Sequence, residues 1–195
     1  MGVTKHRFTV EEYHKMGEAG IFSGDDRVEL IDGEVIEMTP IGWRHARCVR
    51  NMIDLFTNFA GGAAGRYRLD AQNPISLSEH GEPQPDLVLL SREPPAGRLP
   101  GPAEISLIVE VSDASLLYDR ESKLPLYARA GVPEVWIVDL AGDYIETYSD
   151  RAEASTLCST GTRAASDSSL LPYRGSHSMR RRRCPRARRT CSEPV

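Results

Sequence analysis

The order of apolar patterns along the sequence predicts an α/β (or α+β) fold in which helices flank a mixed central β-sheet. Helix-period segments alternate with strand-like apolar runs. Two short glycine-containing turns join neighbouring runs as hairpins. All of these elements fall within residues 1–150 of the 195, which fits one domain plus an appendage.

Taken in order, Thr9 and Glu12 form a capping-box pattern, and Val10, Tyr13 and Met16 follow at helical spacing, so a short helix ends near Gly17 or Gly20. Asp32-Gly33 sits between two apolar-rich runs, a strong local signal for a hairpin, with Val28, Leu30, Val35 and Ile36 as its candidate core positions. Residues 42–62 read as the longest helix, with Val49, Ile53, Phe56 and Ala60 on one face beside Met52 and Phe59, and Gly61-Gly62 at its end. Strand-like runs follow at 66–77, 86–90 and 104–111, the last two separated by a loop rich in proline and glycine. Residues 119–132 read as a helix interrupted by Pro125, and residues 132–140 and 143–149 as a closing hairpin around Ala141-Gly142. Trp43 and Trp136 read as core or interface aromatics rather than base-stacking platforms.

Residues 151–195 differ in kind. They hold ten Arg, no Lys and three acids, a net charge of +7, with no sustained periodicity. This is the composition of a disordered basic tail, or of a GC-rich gene read out of phase. The first 150 residues carry 14 basic and 25 acidic groups, a net of −11. Such a body lacks the basic footprint of a passive nucleic-acid binder. It is compatible with a divalent-cation site, where clustered carboxylates need positive charge between them. Cys48, Cys158, Cys184 and Cys191 contain no CxxC pair, which argues against zinc, and a single cysteine in the body argues against a disulfide framework. The N-terminal residues lack the apolar core of a signal peptide, and no run approaches the ~18 residues of a membrane span. A soluble, cytoplasmic protein is expected.

Two carboxylates stand out. Asp86 follows Pro85 at the head of the apolar run Leu87–Leu90, and Glu110 interrupts the run Leu107–Val111. An ionised Glu in a core strand is costly unless paired or bound to metal. Alternation puts Ile108, Glu110 and Ser112 on one face and Leu107, Val109 and Val111 on the other. If the two strands are neighbours, Asp86 and Glu110 converge on one cation, and two carboxylates completed by water and a phosphate oxygen form a normal magnesium shell.

The segment Val28–Glu34, His45, Pro85-Asp86, Val109-Glu110-Val111-Ser112 and the stretch Asp119–Ala128, with the characteristic run from Lys123 to Asp139, resemble in order the Uma-type family of proposed restriction endonucleases. That family is similar in fold to the PD-(D/E)xK nuclease superfamily. The resemblance spans residues 8 to about 148 and implies a restriction-endonuclease-like sheet. It also implies a metal-dependent endonuclease that hydrolyses DNA phosphodiester bonds with Mg2+ or Mn2+. Nucleases of this type often act as homodimers, so that both strands are cut.

On this resemblance Asp86 and Glu110 match the two acidic metal-ligand positions. The usual lysine, two residues after the glutamate, is replaced by Ser112, and the resemblance moves its role to Lys123 on the next helix. Arg120, three residues earlier, is the next cation on nearly the same helical face. Glu34 matches a further acidic position, with Glu29 as its competitor, and His45 lies on the helix that approaches the site. Gln72 and Asn73 read equally as cleft-lining or turn residues. Each assignment has a plain structural rival. Asp86 can be a turn acid, Glu110 the partner of a buried cation, Lys123 a solvated helix lysine, Glu34 an exposed hairpin carboxylate, and His45 the partner of a core carbonyl. The rival function is a catalytically inactive nuclease fold that serves as a nucleic-acid or protein interaction module.

Overall fold

The structure, a computed structural model, describes residues 2–23, 25–62, 67–149 and 158–163. Helix α1 (Val10–Glu18) starts on the capping box read from the sequence: the Glu12 N–H donates to Thr9 Oγ1 at 3.2 Å, and the Thr9 N–H donates to the Glu12 carboxylate at 2.8 Å. Strands β1 (Val28–Ile31) and β2 (Glu34–Glu37) form a separate two-stranded hairpin. Its turn residues Asp32 (φ 51°) and Gly33 (φ 80°) are both left-handed, as a two-residue turn matched to strand twist requires. Helix α2 (Trp43–Gly62) follows.

A six-stranded sheet runs in the order β3 (Arg68–Ala71), β4 (Leu87–Leu90), β5 (Ile105–Ser112), β6 (Glu134–Asp139), β7 (Tyr144–Ser149), β8 (Cys158–Arg163). Every neighbouring pair is antiparallel except β5–β6. A parallel pair needs a crossover. It is supplied by α3 (Leu116–Tyr118), a π-helical segment (Asp119–Lys123) and α4 (Leu124–Arg129).

β5 is buried on both sides, and its two faces belong to different cores. Leu107, Val109 and Val111 pack with Val49, Met52 and Phe56 of α2. Ile108 packs with Ile31 of the hairpin and with Leu126 and Tyr127 of α4. The alternation read from the sequence therefore holds, and it places Glu110 on the face covered by the hairpin and the crossover.

Four expectations change. The predicted strand 66–77 ends at Ala71, because Gln72 turns left-handed (φ 54°) and Pro74 has no N–H to give a ladder; Ile75 and Leu77 stay buried in the loop beyond. Pro125 does not interrupt its helix. The preceding segment widens, so that the Leu124 N–H reaches Asp119 O five residues back, and the chain continues into α4. Trp136 is half-buried against Phe56 with ring centroids 5.8 Å apart, but Trp43, the first residue of α2, is 72% exposed and so lies outside the core. Finally, residues 158–163, read from the sequence as part of the tail, extend the sheet as β8. A ladder requires only backbone donors and acceptors, and β-branched Thr160 and Thr162 suit a pleated strand. The remaining tail positions, and the side chains of Phe59 and Ala60, lie outside the described residues.

Two glycines at similar dihedrals separate backbone strain from steric fit. At Gly33 an added Cβ would meet Arg7 Cβ at 2.7 Å, whereas at Gly20 (φ 73°) nothing lies within 4 Å. Gly20→Ala is expected to cost ~1 kcal/mol from backbone strain alone, and Gly33→Ala clearly more, because the Arg7 segment must also move. Urea unfolding of the two variants checks the order; equal losses would contradict it.

Candidate active site

Asp86 stands just before β4, and Leu87 pairs with Val109 in the β4–β5 ladder, so the next step along the ladder brings Asp86 beside Glu110. Asp86 Oδ2 accepts a hydrogen bond from the Val111 N–H at 2.8 Å and lies 3.0 Å from His45 Nε2; Oδ1 lies 3.5 Å from Gln72 Nε2. His45 comes from the first turn of α2 and reaches the carboxylate from the other side of the sheet.

Glu110 lies on the opposite face of β5 from α2. Its Oε1 accepts from Lys123 Nζ at 3.2 Å and from the Tyr127 hydroxyl. Lys123 Nζ also sits 3.0 Å from Glu29 Oε2, which in turn accepts the Gln84 N–H at 3.0 Å. Asp119 Oδ2 accepts from Ser112 Oγ at 2.6 Å and from Ser115 Oγ at 2.7 Å. Glu29, Glu110, Asp119 and Lys123 are each at most 5% exposed, and Asp86 is 9% exposed.

These contacts decide the electrostatics. Burial pushes the Glu110 carboxyl up to about 8; Lys123 pulls it back, while Asp119, Asp86 and Glu29 push it further up. Burial alone would lower Lys123, but Glu110, Glu29 and Asp119 outweigh it and hold the ammonium above its ordinary value. Burial thus dominates the Glu110 shift, whereas the neighbouring carboxylates set the direction at Lys123. Burial first, and then Glu110 and Glu29, keep the Tyr127 hydroxyl protonated well above its usual range.

Of the sequence-derived set, the structure brings His45 to Asp86 and Lys123 to Glu110, with the two carboxylates at neighbouring positions of the β4–β5 ladder. It does not bring Glu34. That residue caps the hairpin, 60% exposed at its side chain, and pairs with Lys5 at 3.3 Å. Glu29 occupies the site instead. β1 is covered on both sides, so a position on the face of Ile31 is interior, and Lys123 together with the Gln84 N–H compensates the buried charge. Arg120 also lies apart, bonded through its guanidinium to Glu146 and to Tyr144 on β7. Sequence reasoning weighed Glu29 only as the competitor of Glu34, left Gln72 open between cleft and turn, and assigned no role to Asp119, Gln84 or Tyr127. The signal for Tyr127 was present as its four-residue spacing from Lys123.

The donor set fits a hard cation held through two carboxylates and completed by water and substrate oxygens. Glu110 Oε2 accepts no hydrogen bond among the described residues, and the buried His45 Nδ1 has no partner there. The set does not form a closed cage, because among the described residues no three His, Cys, Asp or Glu side chains are grouped to hold a metal. No helix is long and apolar enough to cross a membrane among the described residues.

The architecture is that of a nuclease-like fold. It is similar to the crystal structure of "a putative nuclease belonging to DUF820" from Anabaena variabilis ATCC 29413, with a TM-score of 0.59 at 14% identity over 85% of this chain and 89% of that one. The family model described as "Uma2: Putative restriction endonuclease" matches residues 10–175, and the chain belongs to that family. No curated protein matches it.

The raised Glu110 value has a defined consequence for stability. The folded chain holds this proton more tightly than the unfolded chain, whose carboxyl titrates near the ordinary 4.5. The contribution is therefore fully present below pH 4.5 and is lost as pH rises through about 8, a change on the order of a few kcal/mol. Glu110→Gln cannot ionise and removes that slope. In EDTA, the variant should gain stability over the parent as pH moves from 5 to 9, measured by urea unfolding. An offset that does not change with pH would contradict the assignment.

Proposed function

We propose that the protein is a Mg2+- or Mn2+-dependent endonuclease that hydrolyses phosphodiester bonds in DNA. The observation that carries this reading is the pairing of two buried carboxylates, Asp86 and Glu110, on adjacent strands, with a buried lysine against one of them. Membership of a family described as restriction endonucleases supports DNA as the substrate.

Asp86 and Glu110 are the residues that would hold the cation. When bound, the cation supplies Lewis-acid polarisation of a phosphate oxygen and lowers the pKa of a water molecule. The chain supplies the rest. The Val111 N–H and His45 fix the Asp86 carboxylate in place, so little reorganisation is needed on binding. Lys123 keeps a positive charge inside the site, where it can offset charge that develops on the phosphate. It takes the place of the lysine absent at Ser112, reaching Glu110 from the crossover rather than from the strand.

The test is cleavage of plasmid DNA by purified protein with Mg2+ or Mn2+, beside an EDTA control and Asp86→Asn. The parent should nick or linearise the plasmid only with the cation present. Asp86→Asn should be slower by ~10²-fold or more while its far-UV circular dichroism is unchanged. Cleavage by Asp86→Asn at the parental rate would overturn the assignment. DNA binding without cleavage by the parent would favour a non-catalytic interaction module.

A further inference from the structure

Both hydrogen bonds that Glu110 accepts among the described residues fall on one oxygen. Lys123 Nζ and the Tyr127 hydroxyl both donate to Oε1, and none reaches Oε2. Lys123 and Tyr127 are four residues apart, so the end of the π segment and α4 present them on one face. They differ in what else they do. Lys123 is divided between Glu110 and Glu29, whereas the Tyr127 hydroxyl has Glu110 as its partner. Tyr127 is fully buried among Val88, Ile108, Val132 and Val135, so its ring has no room to swing away. A buried tyrosine hydroxyl needs a partner, and a core chosen for packing alone would be served by Phe. Tyr118, nine residues earlier on the same crossover, shows the contrast: its hydroxyl is buried without a hydrogen-bond partner among the described residues.

We propose that Tyr127 is a positioning residue, which holds Glu110 by Oε1 so that Oε2 is the oxygen presented to a divalent cation. The inference rests on the nuclease reading above, because it takes Glu110 as a metal ligand. Two donors from one helix leave the carboxylate a single free edge. Removing the hydroxyl lets the group rotate and share both oxygens with Lys123.

The test is calorimetric titration of Mg2+ and Mn2+ into the full chain, for the parent, Tyr127→Phe, Tyr118→Phe and Glu110→Gln. Tyr127→Phe should weaken cation binding about 10- to 100-fold, the range typical when a partner that orients a metal ligand is lost. Tyr118→Phe should bind like the parent. In plasmid cleavage, Tyr127→Phe should need more cation for half-maximal rate while its kcat at saturating cation stays near the parental value. Parental cation affinity in Tyr127→Phe overturns the positioning role and leaves the nuclease reading standing. A parent that binds no cation and cuts no DNA overturns both. Should Tyr127→Phe fail to fold, 3-fluorotyrosine at position 127 of the otherwise parental chain gives a second readout. Its 19F resonance should shift on addition of Mg2+, and absence of a shift overturns the proposal.

Discussion

Four carboxyl groups, of Glu29, Asp86, Glu110 and Asp119, are withdrawn from water, and the ammonium of Lys123 lies against two of them, Glu29 and Glu110. Burying one unpaired ion costs several kcal/mol, so this group can exist only if each carboxylate finds donors of its own. The donors come from distant parts of the chain. The Gln84 N–H serves Glu29, the Val111 N–H and His45 serve Asp86, Ser112 and Ser115 serve Asp119, and Tyr127 serves Glu110. The hairpin, the central strands and the crossover must therefore be assembled together before the charges are tolerable. Much of the remaining architecture, including the antiparallel β4–β5 pair and the parallel β5–β6 pair, can be read as the scaffold that meets this condition.

The parts of this arrangement visible in the sequence are those governed by local rules. The alternation of β5 fixed which face carries Glu110, Asp32-Gly33 fixed the hairpin turn, and Thr9 with Glu12 fixed the start of α1. The crossing of Asp86 and Glu110 was legible only as a condition, that two apolar runs be neighbours, since pairing between strands is not written locally. The exchange of Glu34 for Glu29 was not legible for the same reason. Glu29 shares the face of Ile31 by strand alternation, but whether that face is buried depends on elements more than fifty residues away. Gln72 was readable only as an even choice between cleft-lining and turn residue, because its left-handed backbone is set by the end of the β3 ladder and by Pro74, not by its own preference.

The edge of the sheet illustrates the opposite limit. β7 carries Tyr144, Ile145 and Tyr148 and follows the turn signal at Ala141-Gly142, so it was recognised readily, whereas β8 lies in a stretch with no sustained apolar pattern. An outer strand can be recruited by backbone pairing alone, so its side chains leave a weak imprint on composition. The family match, which extends to residue 175, continues through this strand.

The widened turn at Asp119–Lys123 has a consequence for how the chain can change over time. A π turn amounts to one extra residue within an otherwise α-helical path. Closing the wide turn to ordinary winding with every residue kept would rotate everything on one side of it by about 100° relative to the other. Asp119, which holds Ser112 and Ser115, and Tyr127, which holds Glu110, lie on opposite sides of that point. The extra residue and the wide turn are accordingly inherited together, so that spacing, as much as residue identity, is the heritable property of the crossover.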